Sequence, residues 1–218
     1  MSDPKNPDDW RQLLRNAFTL RAAAYAEFYR AMAEALGPDE ALRLGQIATR
    51  RLGETIGPRF KHLAPGDLAG LCDAFLDSIP DRDSLFAPVV VRCDADALEI
   101  QFHRCPLKQA WEAQGIGGDH LRRLCAMAGA IDGGLFESAG FTFEGTTWQP
   151  GQTGCCRLRV VPVGNVPSRR SRAAVSSKLR LSRSNTGLAS GWSPALGSSP
   201  RRIRRLRMPS AAAPNKSA

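Results

Sequence analysis

The sequence predicts an α+β domain in which N-terminal helices precede a ββααββ run, with a four-stranded antiparallel sheet packed against helices. Three observations carry this expectation. Apolar residues recur every three to four positions as far as Pro80. The period then drops to two at Val89, Val90 and Val91 and over 97–102, and does so again over 141–147 and 155–161. The connection inside each strand pair is local, which suits antiparallel neighbours.

Residues 1–8 are polar and proline-bearing and are expected to be disordered. From Asp9 the spacing turns helical, and Trp10, Leu14, Ala17, Phe18, Tyr25, Phe28, Met32 and Leu36 are read as one apolar stripe packed into the core. Asp8 or Asp9 can cap that helix, and Gly37-Pro38 stops it. Pro38 suits the first turn of a second helix, with Asp39 and Glu40 favourable at its positive end, running to Gly57-Pro58. A third follows Pro65-Gly66, burying Leu68, Leu71, Cys72, Phe75 and Leu76. The first two strands, 88–93 and 97–103, are joined by the turn-forming Asp94-Ala95-Asp96. Pro106 opens a helix through about Gln114, Gly115 to Gly118 breaks it, and another runs from Asp119 to Ala130 or beyond. The folded domain is thus expected over 9–163.

The formal charge of +9 is uneven, since residues 165–218 hold ten Arg, two Lys and no acid, a local +12 that leaves −3 for the rest. The segment 164–218 is rich in Ser, Arg, Pro and Ala, lacks aliphatic periodicity, and is expected to be a disordered basic tail. Its abrupt onset also fits a frameshifted or read-through origin. Only this tail, around Arg201, Arg202, Arg204 and Arg205, offers phosphates a footing, so nucleic acid is not an expected partner. The start MSDPKNPDDW has no basic or apolar signal region, and no apolar run is long enough to span a bilayer. A cytoplasmic protein with no membrane partner and reduced thiols is therefore expected. No P-loop, G-x-G-x-x-G after a strand, G-x-S-x-G or H-E-x-x-H occurs. The pattern specifies no oligomeric state.

The chemistry concentrates between Phe102 and Val161, which hold four of the six cysteines and two of the three histidines. Cys105 precedes Pro106, so its sulfur is expected at a helix N-terminus, where free N–H groups and the helix dipole would lower its pKa below about 8.5 and make it a nucleophile. The alternative is a small buried residue filling the strand–helix corner. His103, two residues earlier, would share a strand face with Cys105 and act as base, or simply sit at the strand edge. Cys125, Gly129 and Asp132 share a face if their helix continues, whereas Asp132-Gly133-Gly134 could instead form a turn. Cys155 and Cys156 on a strand face opposite ways, and Cys156 is assigned to the helix-covered side. No C-x-x-C or other close ligand pair is present, so neither a metal nor a cofactor is expected.

The segments HRCPLKQAW, LCAMAGAIDGGLFE, GTTWQPG and GCCRLRV, with DDWRQLLRNAFTLRAAAYAEFY before them, resemble the L-2-amino-thiazoline-4-carboxylic acid hydrolase family over about residues 9–161. The resemblance implies a hydrolase of bacterial cysteine metabolism that opens a 2-amino-thiazoline ring to N-carbamoyl-cysteine, with a small-molecule substrate as its partner. Residue chemistry then suggests Cys105, or a water activated by His103 or Asp132, as the nucleophile. Lys108, Arg122 or Arg123 would hold the substrate carboxylate, and Cys125 and Cys156 would line its pocket. The element order is also similar to small-molecule- or metal-sensing domains of the four-vinyl-reductase type, which gives a non-enzymatic alternative. Because nothing in the basic tail can join the core, deletion after Val163 is expected to leave melting and ligand binding unchanged. A fall of many degrees in the melting temperature of the truncated chain would refute this.

Overall fold

The computed structural model describes residues 7–164, so the expected basic tail and the first six residues lie outside the described residues. The described residues form α1 (Pro7–Leu36), α2 (Pro38–Ile56), α3 (Leu68–Asp77), the single turn α4 (Arg82–Leu85), β1 (Pro88–Cys93), β2 (Leu98–Phe102), α5 (Pro106–Ala113), α6 (Gly118–Ser138), β3 (Phe141–Thr146) and β4 (Arg157–Pro162), which is the predicted order with the unpredicted turn α4 added before β1. A 3-10 segment, Gly57–Leu63, continues directly from α2. Helix α1 begins at Pro7, inside the stretch expected to be disordered. No helix among the described residues is long and apolar enough to cross a membrane.

The sheet order is β1-β2-β4-β3, with every pair antiparallel, which makes this an α+β domain. Side chains alternate as a half-covered sheet requires. Leu98, Ile100, Phe102, Leu158 and Val160 face the helices and are buried. On the other face, Glu99 pairs with Arg157 and Arg159, and Arg159 Nη1 reaches Glu144 at 2.6 Å. The Asp94 turn forms as read: its Oδ1 accepts N–H bonds from Asp96 at 2.9 Å and Ala97 at 3.0 Å.

Two apolar cores share the domain. One joins the sheet to α3 and the end of α6 around Phe75, Phe136 and Val160. The other gathers α1, α2, α5 and the start of α6 around Trp111, Leu121 and Leu124. The stripe expected on α1 needs correction. Its buried residues are Ala22, Ala26 and Tyr29, while Trp10, Phe28 and Leu36 are 39, 66 and 55% exposed. Small side chains let α1 come close to α5, so that the Trp111 indole N–H donates to Ala22 O at 2.8 Å. The aromatic residues chosen from the spacing fall on both sides of that contact line.

Helix α6 is longer than the minimum read from sequence, and Asp132-Gly133-Gly134 lies within it. The two glycines are kept helical by α2. A methyl group on Gly134 would collide with Arg50 O, and one on Gly53 with Ile131 O. Between these points the Thr49 hydroxyl donates to Met127 O at 2.5 Å. An alanine normally stabilises a helix interior by about 1 kcal/mol over glycine. Here the sign should reverse. Gly134→Ala is expected to cost about 2 kcal/mol and lower the melting temperature by roughly 4–8 °C, because two backbones must separate. An unchanged or raised melting temperature would show that the helices do not touch.

Candidate functional site

Strand β2 ends at Phe102, and the chain turns away from the sheet there. The N–H groups of His103 and Arg104 donate to Ala87 O and Phe86 O at 3.3 and 3.0 Å, which ties this corner to the segment before β1. Cys105 then takes an extended backbone as the N-cap of α5, with Pro106 in its first turn. The loop before β4 runs back along the same corner. Cys155 N–H donates to Phe102 O at 3.0 Å, and Phe102 N–H donates to Cys156 O at 2.9 Å. These two bonds bring Cys155 and Cys156 beside Cys105.

The result is a cavity of about 200 Å³ at the seam between the two cores. Its walls are mainly apolar: Phe18 from α1, Phe75 from α3 and Ile79 after it, Phe86 after α4, Phe102 at the end of β2, Leu107 and Trp111 from α5, and Ala128 and Ile131 from α6. Polar character comes from four thiols (Cys105, Cys125, Cys155 and Cys156), from Asp132, and from the guanidinium-bearing Arg21 and Arg104. Because α6 is continuous, Cys125, Gly129 and Asp132 occupy one face of it and all three line the cavity.

Several sequence expectations change here. His103 is exposed and does not line the cavity, because the strand that would have aligned it with Cys105 has already ended. Lys108 is also outside; its ammonium pairs with Glu112 at 2.7 Å and lies over the Trp148 ring at 5.1 Å. Arg122 and Arg123 both hold Asp119 at 2.6 Å, and Arg123 reaches Asp39 at 2.7 Å, on a different surface. Cys155 and Cys156 precede β4 and do not face opposite ways; both line the cavity, with Cys155 the more buried and their sulfurs 3.4 Å apart. Sequence reasoning missed Arg21, Arg104 and Cys155. Arg21 had a readable signal, since it lies three residues after Phe18 and four before Tyr25, on an otherwise apolar side of its helix.

Burial dominates the electrostatics. Asp132 is pushed up to about 7 by desolvation, and Arg21 pulls only weakly the other way. The carboxyl lies deep in the protein and keeps its accessible surface on the cavity side. The Cys105 thiol is raised well above its ordinary value by the Cys155 thiol and then by burial. The N–H groups of Leu107 and Lys108 act at the helix start in the lowering direction, but they lose. The expectation of a depressed Cys105 pKa is therefore corrected. Cys125 is pushed up to about 12, first by burial. Cys155 is drawn down by Cys105, yet Cys156 and burial leave it raised. In alkylation with iodoacetamide at neutral pH, the exposed Cys93 should label first, with Cys105 and Cys125 lagging until the solution is strongly alkaline. Cys105 labelling ahead of Cys93 would mean that the helix start outweighs the cavity.

Among the described residues, no three His, Cys, Asp or Glu side chains are grouped so that they could hold a metal ion. No curated protein matches the chain. A family model described as L-2-amino-thiazoline-4-carboxylic acid hydrolase matches residues 17–160, a stretch that contains every cavity-lining residue named above. The chain belongs to the L-2-amino-thiazoline-4-carboxylic acid hydrolase family.

Proposed function

We propose that the protein hydrolyses L-2-amino-thiazoline-4-carboxylate to N-carbamoyl-cysteine within the seam cavity. Family membership supports a hydrolase-like role in general. The observation that carries the specific reading is Asp132, a carboxyl inside an apolar cavity whose pKa of about 7 suits both taking and returning a proton near neutrality. The ring carbon between sulfur and nitrogen is amidine-like and resists water unless protons move with it. Asp132 takes a proton from water as the oxygen bonds to that carbon, and returns that proton to the ring nitrogen. The hydroxyl proton then passes to sulfur as the carbon–sulfur bond breaks and a carbonyl forms. The product differs from the substrate by one added water.

The raised thiols favour water over Cys105 as the nucleophile, because Cys105, Cys125 and Cys155 keep their protons through the neutral range. They act as walls and weak hydrogen-bond donors around the ring. His103 has no place in this scheme.

Mass spectrometry of the thiazoline incubated with purified protein should show gain of one water, with a rate that rises through about pH 7 as Asp132 ionises. Asp132→Asn should lower kcat by roughly a hundredfold or more, and Cys105→Ser by much less. The same Asp132→Asn variant has a stability signature. The folded pKa lies above the unfolded value, so the native Asp132 is most stabilising below about pH 4 and loses that contribution as the pH climbs to about 7, on the order of a few kcal/mol. Asparagine has no such loss, so the variant should gain stability over wild type at pH 8 compared with pH 4. Tight binding of the thiazoline without turnover would assign the cavity to a sensor instead.

A further inference from the structure

We propose that Arg21 is the group that receives the ligand's carboxylate, which makes the cavity selective for small carboxylates; this rests on the hydrolase reading only for the identity of the ligand. Among the described residues that line the cavity, Arg21 and Arg104 bring two guanidinium groups against a single carboxyl, Asp132. The remaining lining is aromatic, aliphatic or thiol. A cation facing apolar walls is costly unless an anion joins it, so a cavity of this make-up is matched to a ligand that carries a carboxylate.

The two arginines differ in placement. Arg104 is exposed at the corner after β2, where its Nη1 donates to Ser84 O at 3.3 Å. Arg21 is half-buried and anchored on its own helix. Its Nε and Nη2 donate to the Tyr25 hydroxyl at 3.3 and 3.1 Å, and its guanidinium carbon lies 5.2 Å from the centre of the Tyr25 ring. The residue next to it, Ala22, accepts the Trp111 indole bond, which fixes α1 against α5 and so fixes where Arg21 emerges. A hydroxyl partner and an aromatic face bring no negative charge to Arg21, and of the cavity-lining groups described only the Asp132 carboxyl acts against it. The forked donors of a guanidinium then match a carboxylate in two-point contact. Asp132 lines the same cavity, near enough for Arg21 to act on its carboxyl, so a ligand anchored at Arg21 by its carboxylate brings its ring to the acid.

The test compares L-2-amino-thiazoline-4-carboxylate with 2-amino-2-thiazoline, which has the same ring and no carboxylate. Their dissociation constants are measured by calorimetry on the full chain, for wild type, Arg21→Gln and Arg104→Gln. Wild type should prefer the acid. Arg21→Gln should remove that preference by weakening acid binding roughly ten- to hundredfold without weakening binding of the carboxylate-free ring. Arg104→Gln should change the preference far less. Matching circular dichroism and melting of the variants shows that the fold is kept. A preference that survives in Arg21→Gln, or one that disappears in Arg104→Gln instead, overturns this inference alone. Loss of preference in Arg21→Gln without turnover in wild type supports the anchor and overturns the hydrolase reading. A wild type that binds neither compound overturns both.

Discussion

The close approach of α2 and α6 sets the geometry of everything downstream. Gly45 faces Met127, Gly53 faces the backbone of Ile131 and Leu135, and Gly134 faces the backbone of Arg50. With one flank committed to α2 in this way, α6 can turn only a different flank towards the sheet and α5, and that flank carries Cys125, Gly129 and Asp132. The same contact explains why α6 stays helical through Gly133-Gly134, a pair whose intrinsic preference is to end a helix. Tertiary packing replaces propensity at that point. If α6 ended at Ala130, Asp132 would belong to a turn and the cavity would lack its carboxyl.

A carboxyl held in that position carries a thermodynamic consequence. Its raised pKa means that the folded protein resists ionising it, so around neutrality the native state holds a strained charge balance that the unfolded chain does not. Arg21 offsets only part of this. A site that costs stability in this way fits a role in chemistry better than a role in packing, because an asparagine or an aliphatic residue would serve packing without the penalty.

Much of the fold was legible. The Asp94 turn and the prolines at 38 and 106 each mark a boundary that the structure keeps, because turn and cap chemistry acts locally, whereas beyond Pro80 one more helical turn, α4, precedes the first strand. The face of α1 was not legible in the same way. Periodicity favours large apolar residues such as Trp10 and Phe28, whereas the contact with α5 selects the small Ala22 and Ala26, and only the partner helix decides between them. In the site, Cys105, Cys125 and Asp132 could be read because helix spacing and a helix start are local facts. Lys108, Arg122 and Arg123 could not be ruled out from sequence, since Glu112, Asp119 and Asp39 compete for their charge at distances set by the fold. Cys155 and Cys156 were misassigned because two bonds to the end of β2 hold them in a loop, before strand alternation begins.

Cys105 shows how magnitude decides between opposed effects at one atom. A helix start offers a stabilisation of roughly 1 kcal/mol to a negative sulfur at an accessible site. The neighbouring Cys155 thiol opposes it more strongly, and taking the sulfur out of water adds to the cost. Had α5 begun at the surface, the N–H groups of Leu107 and Lys108 would have prevailed and Cys105 would be a reactive thiolate. With Cys155 and Cys156 folded back over it, the same helix start instead positions a protonated thiol. Among the described residues that line the cavity, Asp132 is then the one carboxyl, and burial brings its pKa to about 7, where a carboxyl can both take and return a proton.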